Sequence, residues 1–429
     1  MTPAAHALAA IEVLTAIGER RAPAGQALKD WGASHRFAGS GDRARIASLT
    51  YDALRQRASI AWRMNADTPR ALVLGALAFT RGLSVDEIAA SFSGAAHAPE
   101  PPTEAERAAI AGASLDGAPA HVRGDYPEWL DGQLADVFGE ERAEEGAALA
   151  ARAPLDLRVN ALKGDRDKAL EQLSHLGAQA TPLSPLGLRV PLTSDGRGPP
   201  VQAEPAHLKG LVEVQDEGSQ LASLIAAAAS GEQVVDFCAG AGGKTLALAA
   251  QMAGRGQIYA YDSDIRRMAP LHDRASRAGV KNLQIRTPRG KQDVLDDLEH
   301  RADLVFIDAP CTGAGTWRRN PDAKWRMRPG ALEVRMAEQD AALDGGARLV
   351  KSGGRLVYVT CSLLDAENGK RVAAFLDRRP DFALVPAPEA AIAAGLPGLS
   401  RFAAGPGHFL FSPRRSGTDG FFVSVLRRA

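Results

Sequence analysis

Residues 233–245 read QVVDFCAGAGGKT. A short apolar run ends in an acid, passes through a loop holding Gly240, Gly242 and Gly243, and enters a stretch rich in Ala and Leu. That is the grammar of a buried strand, a tight turn and a helix, the unit from which parallel sheets are assembled. It recurs downstream: GQIYAYD (256–262), NLQIRT (282–287), DLVFID (303–308) and GRLVYVT (354–360) are short apolar runs closed by turn residues. The intervening periodicity predicts helices at roughly 244–253, 264–278, 330–350 and 365–378. GTDGFFVSVLRR (417–428) reads as a final strand. Residues 211–429 are therefore expected to form an α/β domain around a parallel sheet. Such sheets bind ligands at the carboxyl ends of their strands, so the informative residues are those just after each run.

Upstream the pattern changes. Residues 1–96 place apolar residues three and four apart, as in AAIEVLTAI and RIASLTYDALRQRASIAWRM, and predict an all-helical domain. Arg43, Arg45, Arg55, Arg57 and Arg63 stand there against Asp42 and Asp52. They read as a solvated helix face, with a nucleic-acid-facing surface as the sharper alternative. Residues 97–125, with Pro99, Pro101, Pro102 and Pro119, read as a linker. Residues 126–210 alternate short helices and strands and read as a small α+β subdomain.

The chain has 429 residues, 45% apolar and 24% charged, which is ordinary globular composition. It carries 51 basic and 51 acidic residues, so only a local patch would attract a polyanion. Three cysteines are too few for a disulfide framework and point to a reducing, cytoplasmic setting. No apolar run approaches the ~20 residues of a membrane helix, and the first residues lack the basic region of a signal peptide. Nothing suggests an obligate oligomer, and a monomer is expected.

The glycine loop is not a phosphate-binding P-loop, because that signature needs glycine six positions before Lys244 and Cys238 stands there. Nor is it the dinucleotide G-x-G-x-x-G. Glycines still let backbone approach a ligand closely. Asp262, ending the next strand, is suitably placed to accept hydrogen bonds from ribose hydroxyls, or else to cap the helix near Asp264. A nucleoside cofactor without a pyrophosphate requirement fits, and S-adenosylmethionine is one.

Two further strand ends carry thiols. DLVFID is followed by Ala309, Pro310 and Cys311; GRLVYVT by Cys361 and Ser362. A lone cysteine is most often a small buried residue. Two at neighbouring strand ends beside Asp308 suggest nucleophilic chemistry, with Ser362 available to cap the following helix and favour a thiolate. Zinc is disfavoured, since neither C-x-x-C nor a nearby histidine occurs.

Together these stretches resemble the Fmu/Sun-type RNA 5-methylcytosine methyltransferases. The resemblance rests on VEVQDEGSQL (212–221, apart from Val212), VVDFCAGAGGKT, IYAYDSD, DLVFIDAPCTGAGTWRRNPDAKW, VYVTCS and TDGFF, and covers roughly residues 126–429. DRARIASLTYDALR also resembles the NusB-like RNA-binding domain of the bacterial small-subunit rRNA branch. The resemblance implies a Rossmann-like S-adenosylmethionine methyltransferase domain, an α+β RNA-binding subdomain and a helical RNA-binding domain. It implies Cys361 as the attacking thiol, Cys311 as the thiol assisting release, and Asp308 as the acid facing cytosine N3 and the cofactor. It assigns Cys238, Ala239, Gly240, Ala241, Gly242, Gly243, Lys244, Asp262 and Asp308 to the cofactor, with no metal. The substrate implied is RNA, rRNA in preference to tRNA; a non-catalytic RNA-binding or ribosome-assembly factor is the reading from another class.

Three departures stand out. The family's Ala-Pro-Gly-Gly is Gly240-Ala241-Gly242-Gly243 here. The acid that reaches adenine after the third strand has no counterpart in RTPRGKQD, where Asp293 comes late. The family's Glu-Asn-Glu is Glu367-Asn368-Gly369. The run Arg318, Arg319, Lys324, Arg326 and Arg328 is expected to hold RNA phosphates, or to brace the fold through Asp322. Trp317 and Trp325 read as core residues or base-stacking platforms.

Overall fold

The computed structural model describes residues 1–193, 196, 198–288, 290 and 292–429. The chain divides into two units, Met1–Arg152 with Trp317–Met327, and Ala153–Thr316 with Arg328–Ala429.

The second unit opens with a four-stranded antiparallel sheet: β1 (Leu155–Val159), β2 (Gln179–Ala180), β3 (Gly187–Val190) and β4 (Val212–Val214), in the order β2-β3-β1-β4. Leu157, Val159, Leu188, Val190 and Val212 bury one face against Ala169 and Leu173. The fourth strand lies just beyond residue 210, where the sequence reading closed this subdomain.

The large sheet follows. β5 (Gln233–Asp236), β6 (Gln257–Tyr261), β7 (Leu283–Arg286), β8 (Ala302–Asp308) and β9 (Val350–Thr360) are parallel. β10 (Phe382–Leu384), β11 (Ala403–Ala404), β12 (His408–Phe411) and β13 (Phe421–Arg428) add an antiparallel flank. The path β7-β6-β5-β8-β9-β13-β12-β11 reverses direction between β5 and β8, so the crevice for a ligand opens at their carboxyl ends. Val234, Ile258, Leu304, Phe306, Val357 and Val359 are wholly buried in one core with Leu221, Leu248 and Met252. Each such side chain contributes about 1.5–3 kcal/mol by leaving water. This is a Rossmann-like sheet, as the strand pattern implies.

The expected helix at 264–278 is two helices, Ile265–Met268 and Leu271–Ala278, divided at Pro270, whose ring and missing N–H interrupt a continuous helix. The helix after β8 spans Pro329–Ala347, and the one after β9 starts only at Gly369.

The first unit is helical. Its longest helices are Pro3–Arg20 and Ser40–Arg55. Thr2 and Thr68 cap helix starts, and Ser84/Glu87 and Thr103/Glu106 form reciprocal capping boxes. Residues 97–125 include helices Glu104–Ala111 and Ala120–Arg123, and helices Asp131–Phe138 and Arg142–Ala150 belong to this unit too. Segment 317–327 is held within it. Trp325 packs on the core of Leu49, Leu54 and Ile60 and donates its Nε1–H to the Leu54 carbonyl at 2.6 Å. Lys324 is wholly buried and donates to the Arg55 carbonyl at 2.8 Å. Arg55 in turn donates to the Arg318 carbonyl. Asp322 accepts from the Ala24 amide at 3.1 Å and from Arg326 at 3.0 Å. Arg318 and Lys324 therefore brace the helical unit, and are not an open phosphate-binding arm; Arg326 and Arg328 are exposed. Trp317 is buried.

Candidate active site

β8 and β9 are parallel neighbours, Asp308 opposite Val359, so the residues after them emerge side by side. The Cys311 and Cys361 sulfurs lie 3.3 Å apart, too far for a disulfide and close enough for a thiol hydrogen bond. Both cysteines are half-buried. The Cys361 carbonyl accepts the Gly315 amide at 2.9 Å, and the Gly315 carbonyl accepts the Gly420 amide at 2.7 Å. Three loops are thus tied together around the thiols.

Hydrogen bonding to Cys361 comes first among the causes that push the Cys311 thiol well up, followed by burial and the charges of Cys361 and Glu367. Ser362 does not cap the next α-helix: it donates to Glu367 and accepts from the Leu364 amide at 3.1 Å. A 3-10 turn, Asp365–Glu367, intervenes.

Lys244 resolves as the partner of Asp308, its Nζ 2.6 Å from Oδ2. Burial works to lower the Lys244 ammonium, but Asp308, Cys361 and Asp236 outweigh it and the net direction is upward. Lys244 also lies 5.1 Å from the Phe421 ring centroid. The acid at the end of β8 thus has a cationic hydrogen-bond donor beside it.

The glycine loop fits the proposed cofactor. Gly240 and Gly242 have positive φ, 50° and 83°. A Cβ at Gly242 would lie 2.1 Å from Leu271 Cδ1, so only glycine lets the loop close on helix Leu271–Ala278. Helix Gly243–Gln251 starts without a side-chain cap, leaving first-turn N–H groups for an anionic ligand group. Asp262 is buried, accepts from Gly240 N at 3.0 Å and Asp264 N at 2.9 Å, and pairs with Arg267 at 3.2 Å. A carboxylate has about four acceptor sites, so room stays for a ribose hydroxyl. Asp264, not Asp262, caps the following helix. Burial first, then Asp236, Asp262 and Asp308, push the Cys238 thiol well up: the crevice is negative, which suits a sulfonium. Ala239 and Ala241 complete the loop, Ala241 through its carbonyl to Arg274 at 2.7 Å. A cavity of about 660 Å³ opens at the end of β7, with Thr287, Gln292 and Asp293 on its wall. Asp293, late in sequence, is therefore at that strand end. Arg289 and Lys291 lie outside the described residues.

Sequence reasoning did not single out Asp236, buried at the end of β5 with its Oδ2 accepting from Thr245 at 2.6 Å. Its signal was its place as the last residue of a strand. Among the described residues no group of three or more His, Cys, Asp or Glu side chains is arranged to hold a metal ion.

A Rossmann-like sheet with a glycine turn, a buried acid at the end of the neighbouring strand and paired thiols is the architecture of an S-adenosylmethionine-dependent methyltransferase. The family described as 16S rRNA methyltransferase RsmB/F matches residues 223–427, and the ferredoxin-like domain of RsmF/B-like methyltransferases matches 126–194. The chain is 32% identical over 307 residues to the probable ribosomal RNA small subunit methyltransferase B of Synechocystis sp., covering 71% of this chain and 67% of that protein. It is 34% identical over 256 residues to ribosomal RNA small subunit methyltransferase B of Escherichia coli, covering 60% and 58%. The matched stretches thus span 67% or less of these relatives' own length. The crystal structure of PH0851 is similar over 100% of this chain and 99% of that one, with a TM-score of 0.73 and 26% identity. The chain belongs to the RsmB/F family of 16S rRNA methyltransferases. No helix among the described residues is long and apolar enough to cross a membrane.

Proposed function

We propose that this protein methylates carbon 5 of a cytosine in small-subunit rRNA through a covalent bond between Cys361 and the base. The observation that carries the reading is the 3.3 Å pairing of the Cys311 and Cys361 sulfurs at neighbouring strand ends, beside the Asp308–Lys244 pair. Carbon 5 of cytosine is a poor nucleophile. The Cys361 thiolate gives an electron pair to carbon 6, and the ring electrons move toward carbon 5, which becomes enamine-like. Bound S-adenosylmethionine supplies an electrophilic methyl group. Carbon 5 then carries both methyl and hydrogen; solvent water takes that proton, the C5–H electron pair restores the 5,6 double bond, and the Cys361 sulfur leaves as thiolate. Cys311 assists this elimination. Asp308 hydrogen-bonds ring N3, which requires a shared proton, and Lys244 is placed to share one. Asp262 and the loop from Cys238 to Lys244 hold the cofactor.

The helical unit and the small antiparallel sheet serve as RNA-binding surfaces, and the names of the relatives favour small-subunit rRNA over tRNA. The protein acts as a cytoplasmic monomer. The base must leave its stack to reach the thiols. Cys361→Ala is expected to lose methyl transfer and form no adduct, while Cys311→Ala accumulates a protein–RNA adduct stable to denaturation. Trapping by Cys361→Ala and not by Cys311→Ala would reverse the two roles. Bisulfite sequencing of RNA from cells with and without the protein tests the whole: no cytosine in 16S rRNA losing its mark would sink it.

A further inference from the structure

Glu367 has no part in the chemistry above, yet it is wholly buried and surrounded by donors. Its Oε1 accepts from the Thr312 amide at 2.8 Å and from Gln339 Nε2 at 2.9 Å. Its Oε2 accepts from the hydroxyls of Thr312 and Ser362. Thr312 directly follows Cys311, and Ser362 directly follows Cys361. Gln339 also donates to the Pro310 carbonyl at 2.9 Å, on the other side of Cys311. One carboxylate therefore grips both cysteine loops, across 55 residues of sequence to the first and 5 to the second. Four donors converging on two oxygens call for an acceptor-only, ionised group.

The geometry points to Glu367 as the positioning residue that fixes the spacing of the two thiols and keeps negative charge off Cys311. For its catalytic consequence this rests on the methyl-transfer reading; its geometry does not. A buried charge one residue from Cys311 opposes a second charge on that sulfur. The other groups around Cys311 are Cys361 itself and Tyr358, whose hydroxyl donates to the Glu367 carbonyl and which in turn feels the Arg371–Asp340 pair. The Gly313 backbone acts on Cys311 in the opposite sense, and the Asp308–Lys244 pair belongs to the same crevice. With Glu367 ionised, Cys311 keeps its proton and the nucleophile's role is left to Cys361.

Glu367→Gln separates charge from shape. Its oxygen can keep the Thr312 amide and Gln339, while its NH2 meets two hydroxyls free to rotate and accept. Alkylation of each cysteine by iodoacetamide, followed against pH by peptide mass spectrometry, reads the charge directly. In Glu367→Gln the midpoint for Cys311 is expected to fall by about one pH unit. An unchanged midpoint overturns the charge role. Glu367→Ala removes the grip, and kcat is expected to drop about 100-fold with cofactor affinity by calorimetry unchanged. A kcat within about threefold of the wild type overturns the positioning role. Should Glu367→Ala fail to fold, Glu367→Asp, which draws the carboxylate back by one methylene, replaces it with the same readout and an expected loss of about tenfold. If the wild type transfers no methyl to RNA, the function proposed above fails, while the alkylation profile still decides the charge role.

Discussion

Asp236 ends β5 facing the crevice, and its Oδ1 makes no hydrogen bond among the described residues. Burial, with Asp308 and Asp262 adding to it, raises its carboxyl to about 7 against the Thr245 hydrogen bond. The raised value means the native state keeps a proton that the unfolded chain releases near pH 4. Its contribution to stability is therefore full below about pH 4 and disappears as pH rises through about 7. Asp236→Asn, which keeps a partner for Thr245, is expected to melt higher than the wild type at pH 8 and no higher at pH 4.5, measured without cofactor. Equal melting at both values would mean the aspartate finds solvent or a counter-charge. Lys244→Met removes the cationic donor beside Asp308 and is expected to lower kcat about 100-fold, with a loss of thermal stability from the unpaired acid. Cys311, Cys361, Asp308 and Asp262 stood out in the sequence because each ends or follows a strand, and a parallel sheet gathers strand ends in one place. Lys244 and Glu367 were visible as residues and not as partners, since their contacts cross 64 and 55 positions. Arg318 and Lys324 misled because sequence shows charge and hides burial.

At the scale of elements, the loop after β8 and the turn before β13 touch backbone to backbone. A Cβ at Gly315 would lie 2.3 Å from the Gly420 carbonyl oxygen, which is fixed by its own chain. Gly315→Ala is expected to destabilise by roughly 1–3 kcal/mol and to slow adduct formation, because the Cys361 carbonyl bonds the same Gly315 amide. Retention of both full stability and adduct yield would show that these loops give way freely. The parallel strands were readable from their apolar runs. β10, β11 and β12 were not, being two to four residues long and defined by pairing with β13 or its neighbour rather than by local pattern.

The whole molecule carries 51 basic and 51 acidic residues, so RNA must be held by local clusters. Its affinity for RNA is expected to fall steeply as salt rises, and a flat response would remove phosphate contacts from the account. Lys324→Ala offers a contrast. It is buried, with its ammonium lowered to about 8 chiefly by burial, Asp125 opposing. The variant is expected to lower the melting temperature while the salt slope of RNA binding keeps its wild-type value. A reduced slope would return Lys324 to the phosphates.

The helical unit borrows residues 317–327 from far down the chain. A ribosome that has just released residue 152 has not yet made Trp325 or Lys324. The first-synthesised part of the protein must therefore wait, incomplete, through the 175 residues from 153 to 327 before its last side chains arrive. A fragment ending at residue 152 would lack those side chains for good, and is expected to melt below the same unit in the whole chain.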